Sequence, residues 1–145
     1  MGLFRRAFVA RSAVRLRLHL TASQRFILWL DGRLMARGPS RSDPSRWFVR
    51  TLDLPRLRAG RHALAVMVVH FGRHAGIGQL GPAPFLLLAA RTLAGKLDET
   101  LDTGERWRCA ADESRSPIDE HRWDGKPPYY VVGCGERITS GRTPP

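Results

Sequence analysis

The chain reads as all-β, with two antiparallel layers stacked as a sandwich, and three stretches carry that prediction. Residues 14–21, VRLRLHLT, place Val14, Leu16, Leu18 and Leu20 on one side and Arg15, Arg17, His19 and Thr21 on the other. That period of two gives a strand with one face in the core and one in water. Residues 25–35, RFILWLDGRLM, set Asp31-Gly32 between two apolar runs. Both central residues of a type I′ turn need positive φ, which Asp and Gly tolerate, so this is a hairpin corner. Residues 64–71, LAVMVVHF, are almost continuously apolar and β-branched. A strand of that kind is central and covered on both faces, which requires a layer above and a layer below it.

The remaining elements follow in chain order. Residues 4–9 read as an edge strand with a weaker alternation. A polar break at 21–24 precedes the hairpin, whose return strand begins at Leu34 and Met35 and stops at Gly38-Pro39, because proline cannot donate to a ladder. Residues 40–45 form a polar loop punctuated by Asp43-Pro44, after which Trp47, Phe48 and Val49 resume an apolar strand. Pro55 interrupts the next stretch, and Ala59-Gly60 turns the chain into the central strand. Residues 72–84 hold too many glycines and prolines for a regular element and make a long loop. Residues 85–91, FLLLAAR, form a buried strand, since they are short for a helix and lie among strands. Residues 96–102 are a linker, and 104–110 make a last strand with Trp107 pointing inward. These observations divide the chain into a sandwich at 1–110 and an irregular tail or linker at 111–145, with one short strand expected at 129–132.

Composition narrows the function classes. The chain has 145 residues, enough for one compact domain with an appendage, and 43% apolar content, too much for general disorder. Its longest apolar stretches fall below the roughly 18 residues that span a membrane. The start carries positive charge without the uninterrupted apolar core of a secretory signal, so the expected location is cytoplasmic. Net charge is +11, which raises a polyanion partner. Only Lys96 and Lys126 are lysines, and the arginines that supply the rest are scattered along the sequence. A nucleic-acid reader concentrates charge on one face, so that partner is disfavoured. Cys109 and Cys134 sit in no CxxC, the histidines show no ligand spacing to them, and both thiols are expected reduced and partly buried, with neither metal nor cofactor.

No assembled active site is legible. Glycoside cleavage uses two carboxylates facing across a pocket, roughly 5 to 10 Å apart. Asp112 with Glu113 and Asp119 with Glu120 are sequence neighbours that point apart in an extended chain. Gly76, Gly78 and Gly81 satisfy a G-x-G-x-x-G spacing, but Pro82 and Pro84 stand where the phosphate-binding helix must begin. Aromatic side chains offer a face to the C–H surface of a sugar. Trp47, beside Arg46 and after the Asp43 loop, either serves that purpose or fills the core under the loop; Trp29 and Trp107 lie in strand-like runs and read as core.

Taken together, LWLDGRLMARGPSRSDPSRWFVRTLDL and LRAGRHALAVMVVHFG resemble the N-terminal β-sandwich of bacterial α-L-rhamnosidases, enzymes with an (α/α)6 catalytic barrel. The matching positions are Asp31-Gly32, Gly38-Pro39, Asp43-Pro44, Trp47, Leu57, Gly60, Leu64, Ala65, Val66, Val68 and Gly72, over about residues 4–108. GERITSGRTPP resembles the family's Gly-Glu-x-x-Asp-x-Arg stretch, with Thr139 or Ser140 where Asp is expected. The resemblance implies a jelly-roll or galactose-binding-like sandwich whose catalytic acids belong to a downstream domain. It also implies a non-catalytic module that scaffolds the barrel and contacts glycan; joined to the aromatic reading above, it makes Trp47, Asp43 and Arg37 the expected contact residues. The rival reading is a free-standing basic module for nucleic acid or acidic polysaccharide.

Overall fold

The computed structural model describes residues 1–38, 45–72, 83–118 and 135–139. Asp43, residues 73–82 of the glycine-rich stretch, Trp123, the strand expected at 129–132 and Cys134 lie outside the described residues. Ten strands follow one another: β1 (Gly2–Ala10), β2 (Arg15–Ala22), β3 (Arg25–Leu30), β4 (Arg33–Gly38), β5 (Arg50–Asp53), β6 (Gly60–Val69), β7 (Leu86–Ala94), β8 (Arg108–Ala111), β9 (Arg115–Pro117) and β10 (Glu136–Ile138). They form a five-stranded sheet in the order β4-β3-β6-β1-β8 and a three-stranded sheet in the order β5-β2-β7, with β10 and β9 paired beside them. Every pairing is antiparallel. The chain passes repeatedly between the two large sheets, so most neighbours in a sheet are distant in sequence. The fold is an all-β sandwich.

The core is the space between these sheets. Leu16, Leu18 and Leu20 of β2 meet Phe26, Leu28 and Leu30 of β3 and Leu64, Val66 and Val68 of β6, all buried. The strict alternation at 14–21 therefore marks the inner face of β2, and β6 is the central strand of the larger sheet. The other side of β6 is also covered: Met67, Val69 and Phe71 form a second buried cluster with Met1, Leu3, Ile27 and Trp29. Trp29 thus packs on the outer face of the large sheet, not in the central core where its strand-like surroundings placed it.

The hairpin corner forms as expected, with φ of 50° at Asp31 and 78° at Gly32. The Asp31 carboxylate accepts a hydrogen bond from the Ala63 amide at 2.8 Å and from His62 Nδ1 at 2.7 Å. His62 Nε2 lies 2.9 Å from the Arg58 carbonyl, so both ring nitrogens face acceptors, an arrangement that favours the imidazolium. Burial opposes that charge. The hydrogen bonds to Asp31 and to Arg58 outweigh it and raise the His62 pKa, while Asp31, against its own burial, is lowered by His62 and the Ala63 amide.

Several expectations need correction. β1 is an interior strand between β6 and β8, not an edge. Its alternation is obscured because Arg6 points inward with Phe8 and Ala10. That buried guanidinium is ion-paired with Glu99, whose other oxygen accepts from the Val9 amide at 3.4 Å. Residues 96–102 consequently form a structural loop, whose own Leu101 is buried in the core. The polar corner at 21–24 is buried, because the Ser23 amide bonds to the Phe85 carbonyl at 3.0 Å and Gln24 Oε1 accepts from the Phe71 amide at 2.7 Å. β7 is buried on one face only; Leu87 is 58% exposed. The strand expected at Trp47 begins instead at Arg50, and Trp107 precedes β8, half-buried, with its indole donating to the Leu101 and Asp102 carbonyls at 3.1 and 3.2 Å. Cys109 is exposed on β8, which ends the large sheet among the described residues. The start of the tail is ordered: Asp112 is buried and accepts from the Ser114 amide and hydroxyl at 3.0 and 2.5 Å, fixing the turn into β9.

Candidate functional site

Antiparallel register decides what lies on the outer face of the large sheet. Ile27 is opposite both Arg37 and Met67, and Met67 is opposite Leu3, so these four form one row across β4, β3, β6 and β1. Trp29 is opposite Ala65, Ala65 is opposite Arg5, and Arg5 is opposite Arg108, which makes a second row. Above the first row lies an open cleft of about 750 Å³, floored by Ile27, Met67 and Val69 and bounded by Phe48, Val49 and four arginines. Its volume is typical of small-molecule sites, roughly 300–1,000 Å³.

The four arginines, Arg25, Arg37, Arg50 and Arg115, come from four different strands, β3, β4, β5 and β9. Arg25 lies over the Phe71 ring with its guanidinium carbon 5.4 Å from the centroid, a cation–π contact. Arg115 binds Glu136 at 3.1 Å and the buried Asp112 at 3.4 Å. Glu136 is the only carboxylate among the described residues that line the cleft. Arg37 and Arg50 are exposed and form no ion pair among the described residues. Four arginines far apart in the sequence are therefore brought to one cleft by the sheets.

Of the expected contact residues, Arg37 lines this cleft. Trp47 does not: it is half-buried and packs edge-on against Phe85, with ring centroids 4.7 Å apart at 80°. Its neighbour Phe48, 59% exposed, presents the aromatic face that borders the cleft.

Superposed on the crystal structure of the GH78 family rhamnosidase of Bacillus sp. GL1, the chain gives a TM-score of 0.67 over 94% of its length, with 26% sequence identity. The chain resembles one domain of an α-L-rhamnosidase. This rhamnosidase-like chain spans 16% of the Bacillus enzyme's length. The Streptomyces avermitilis α-L-rhamnosidase, solved with L-rhamnose, matches over 94% of the chain and 12% of the enzyme, with 17% identity and a TM-score of 0.53. The Pleurotus ostreatus lectin matches over 94% of the chain and 35% of the lectin, with 15% identity and a TM-score of 0.55. At these identities the last two share the fold. No family model and no curated protein matches the chain.

The rhamnosidase-like sandwich carries a second groove, of about 280 Å³, lined by Leu3, Trp29, Met67 and the facing pair Arg5 and Arg108. Met67 lines both grooves, so they are neighbours on the outer face of the large sheet. Phe48, Arg50, Arg5 and Arg108 were missed in the sequence. For Phe48 a signal existed: Trp47 and Phe48 are adjacent, so in an extended chain only one of them packs inward. Among the described residues no group of three His, Cys, Asp or Glu side chains comes together as metal ligands.

Proposed function

We propose that the chain is a non-catalytic β-sandwich module of an α-L-rhamnosidase-type glycoside hydrolase, where it supports the catalytic barrel and contacts glycan. The observation that carries this reading is the superposition of 94% of the chain on 16% of the Bacillus rhamnosidase. The likeness to a lectin supports the glycan contact. In this reading residues 1–110 are the module and 111–145 lead toward a downstream domain. Arg37 and Phe48 contact the glycan directly, and Trp47 braces the loop that presents Phe48. A free-standing polyanion binder is the second reading, favoured by the arginines around the cleft.

Two measurements test the proposal. The purified chain should leave an aryl α-L-rhamnoside uncleaved, and turnover by the chain alone would exclude a non-catalytic role. Joined ahead of a family barrel stripped of its own sandwich, the chain should restore soluble, active enzyme; a barrel that gains nothing counts against the scaffold.

A further inference from the structure

Two neighbouring grooves on the outer side of the large sheet carry an excess of cations. Arg5 and Arg108 are register partners on neighbouring strands. Like charges directly opposite each other destabilise a sheet, and among the described residues neither side chain has an ion pair. In the larger groove Arg37 and Arg50 likewise lack one, while Glu136 is engaged by Arg115. Between the charges lie surfaces suited to the C–H face of a sugar: exposed Phe48 in the larger groove and half-buried Trp29 in the smaller. A concave site with an apolar floor admits single sugar rings, whereas a nucleic-acid duplex is met by a protruding element or a broad basic surface.

We propose that this face binds a carboxylated glycan, with uronate groups held by Arg37 and Arg50 in the large groove and by Arg5 and Arg108 in the small one. The guanidinium fork matches a carboxylate in two parallel hydrogen bonds, and an anion between Arg5 and Arg108 relieves their repulsion. The proposal rests on the glycan-contact reading and adds the charge of the ligand. Arg37 and Arg50 are exposed, so their replacement leaves the core intact.

The test titrates the full chain with short oligogalacturonate, with its methyl ester and with L-rhamnose, following tryptophan fluorescence and heat. The acid form should bind at least about tenfold tighter than the ester, and the preference should fade as salt is raised. Arg37→Gln with Arg50→Gln, and separately Arg5→Gln with Arg108→Gln, should each weaken the acid form by about tenfold. Phe48→Ala should weaken acid and ester alike. Equal affinity for acid and ester, with rhamnose still bound, overturns the charge assignment and leaves the glycan contact standing. Silence toward all three sugars overturns both. A DNA duplex that binds tighter than oligogalacturonate and loses affinity in the same arginine variants overturns the glycan in favour of nucleic acid.

Discussion

At the scale of single residues, backbone geometry and paired charges set the sharpest constraints. Gly95 has φ of 78°, and a Cβ there would lie 2.3 Å from the Ala13 carbonyl oxygen. Gly32 has the same φ with open space around it. Gly32→Ala should therefore cost only left-handed strain, about 1 kcal/mol, whereas Gly95→Ala should cost about 2–4 kcal/mol, read from urea unfolding of the two variants. Asp31-Gly32 was legible because a two-residue hairpin demands that pair of residues. Gly95 was not, since its constraint comes from Ala13 on a different part of the chain. The Asp31–His62 pair adds a pH dependence. His62, with its pKa raised, contributes stability that is complete below its ordinary value of about 6.5 and lost as pH rises through the raised value. Asp31, lowered, contributes above its ordinary value of about 3.8 and loses that contribution as pH falls through the lowered one. His62→Gln should then lower the melting temperature more at pH 5.5 than at pH 8.5, and an equal drop at both would show that the pair is not ionised.

At the scale of elements, inner and outer faces behave differently. Leu64 is fully buried in β6, so Leu64→Ala should destabilise by about 2–5 kcal/mol, while Leu87→Ala on the exposed face of β7 should stay within about 0.5 kcal/mol. Chemical denaturation separates these outcomes. The strand at 85–91 was readable as β from its length, but not its one-sided burial, because three consecutive leucines hide the alternation. β1 shows the converse case. Its inward Arg6 makes it look like a poor edge strand, although pairing with Glu99 lets it run through the interior of the sheet. Glu99→Ala leaves that guanidinium buried without its counter-charge and should cost about 3–5 kcal/mol; Arg6→Met with Glu99→Leu should recover most of it, as measured by the same unfolding curves.

For the whole molecule, topology governs kinetics and the site. β1 pairs with β6 and β8, and β2 with β5 and β7, so most of the ladder closes long loops. Stopped-flow refolding should accordingly run in milliseconds to seconds, slower than a helical domain of this size; microsecond folding would contradict such non-local pairing. The same topology completes the cleft, because the β3–β4 hairpin that carries Arg25 and Arg37 meets Arg50 of β5 and Arg115 of β9 only when the two sheets and the β9–β10 pair have come together.

The sequence by itself determined the all-β class, the inner face of β2, the Asp31-Gly32 corner, the central place of β6 and the resemblance to a rhamnosidase sandwich. Each of these rests on local periodicity, local turn chemistry or a linear motif, which short stretches of chain carry unaided. Only the tertiary structure decided that β1 is interior, that Arg6 is a buried ion, and that Phe48 rather than Trp47 borders the cleft. It also decided that six arginines far apart in the sequence line two neighbouring grooves. Those properties depend on strand order and register, and both are fixed by which distant apolar faces bury one another.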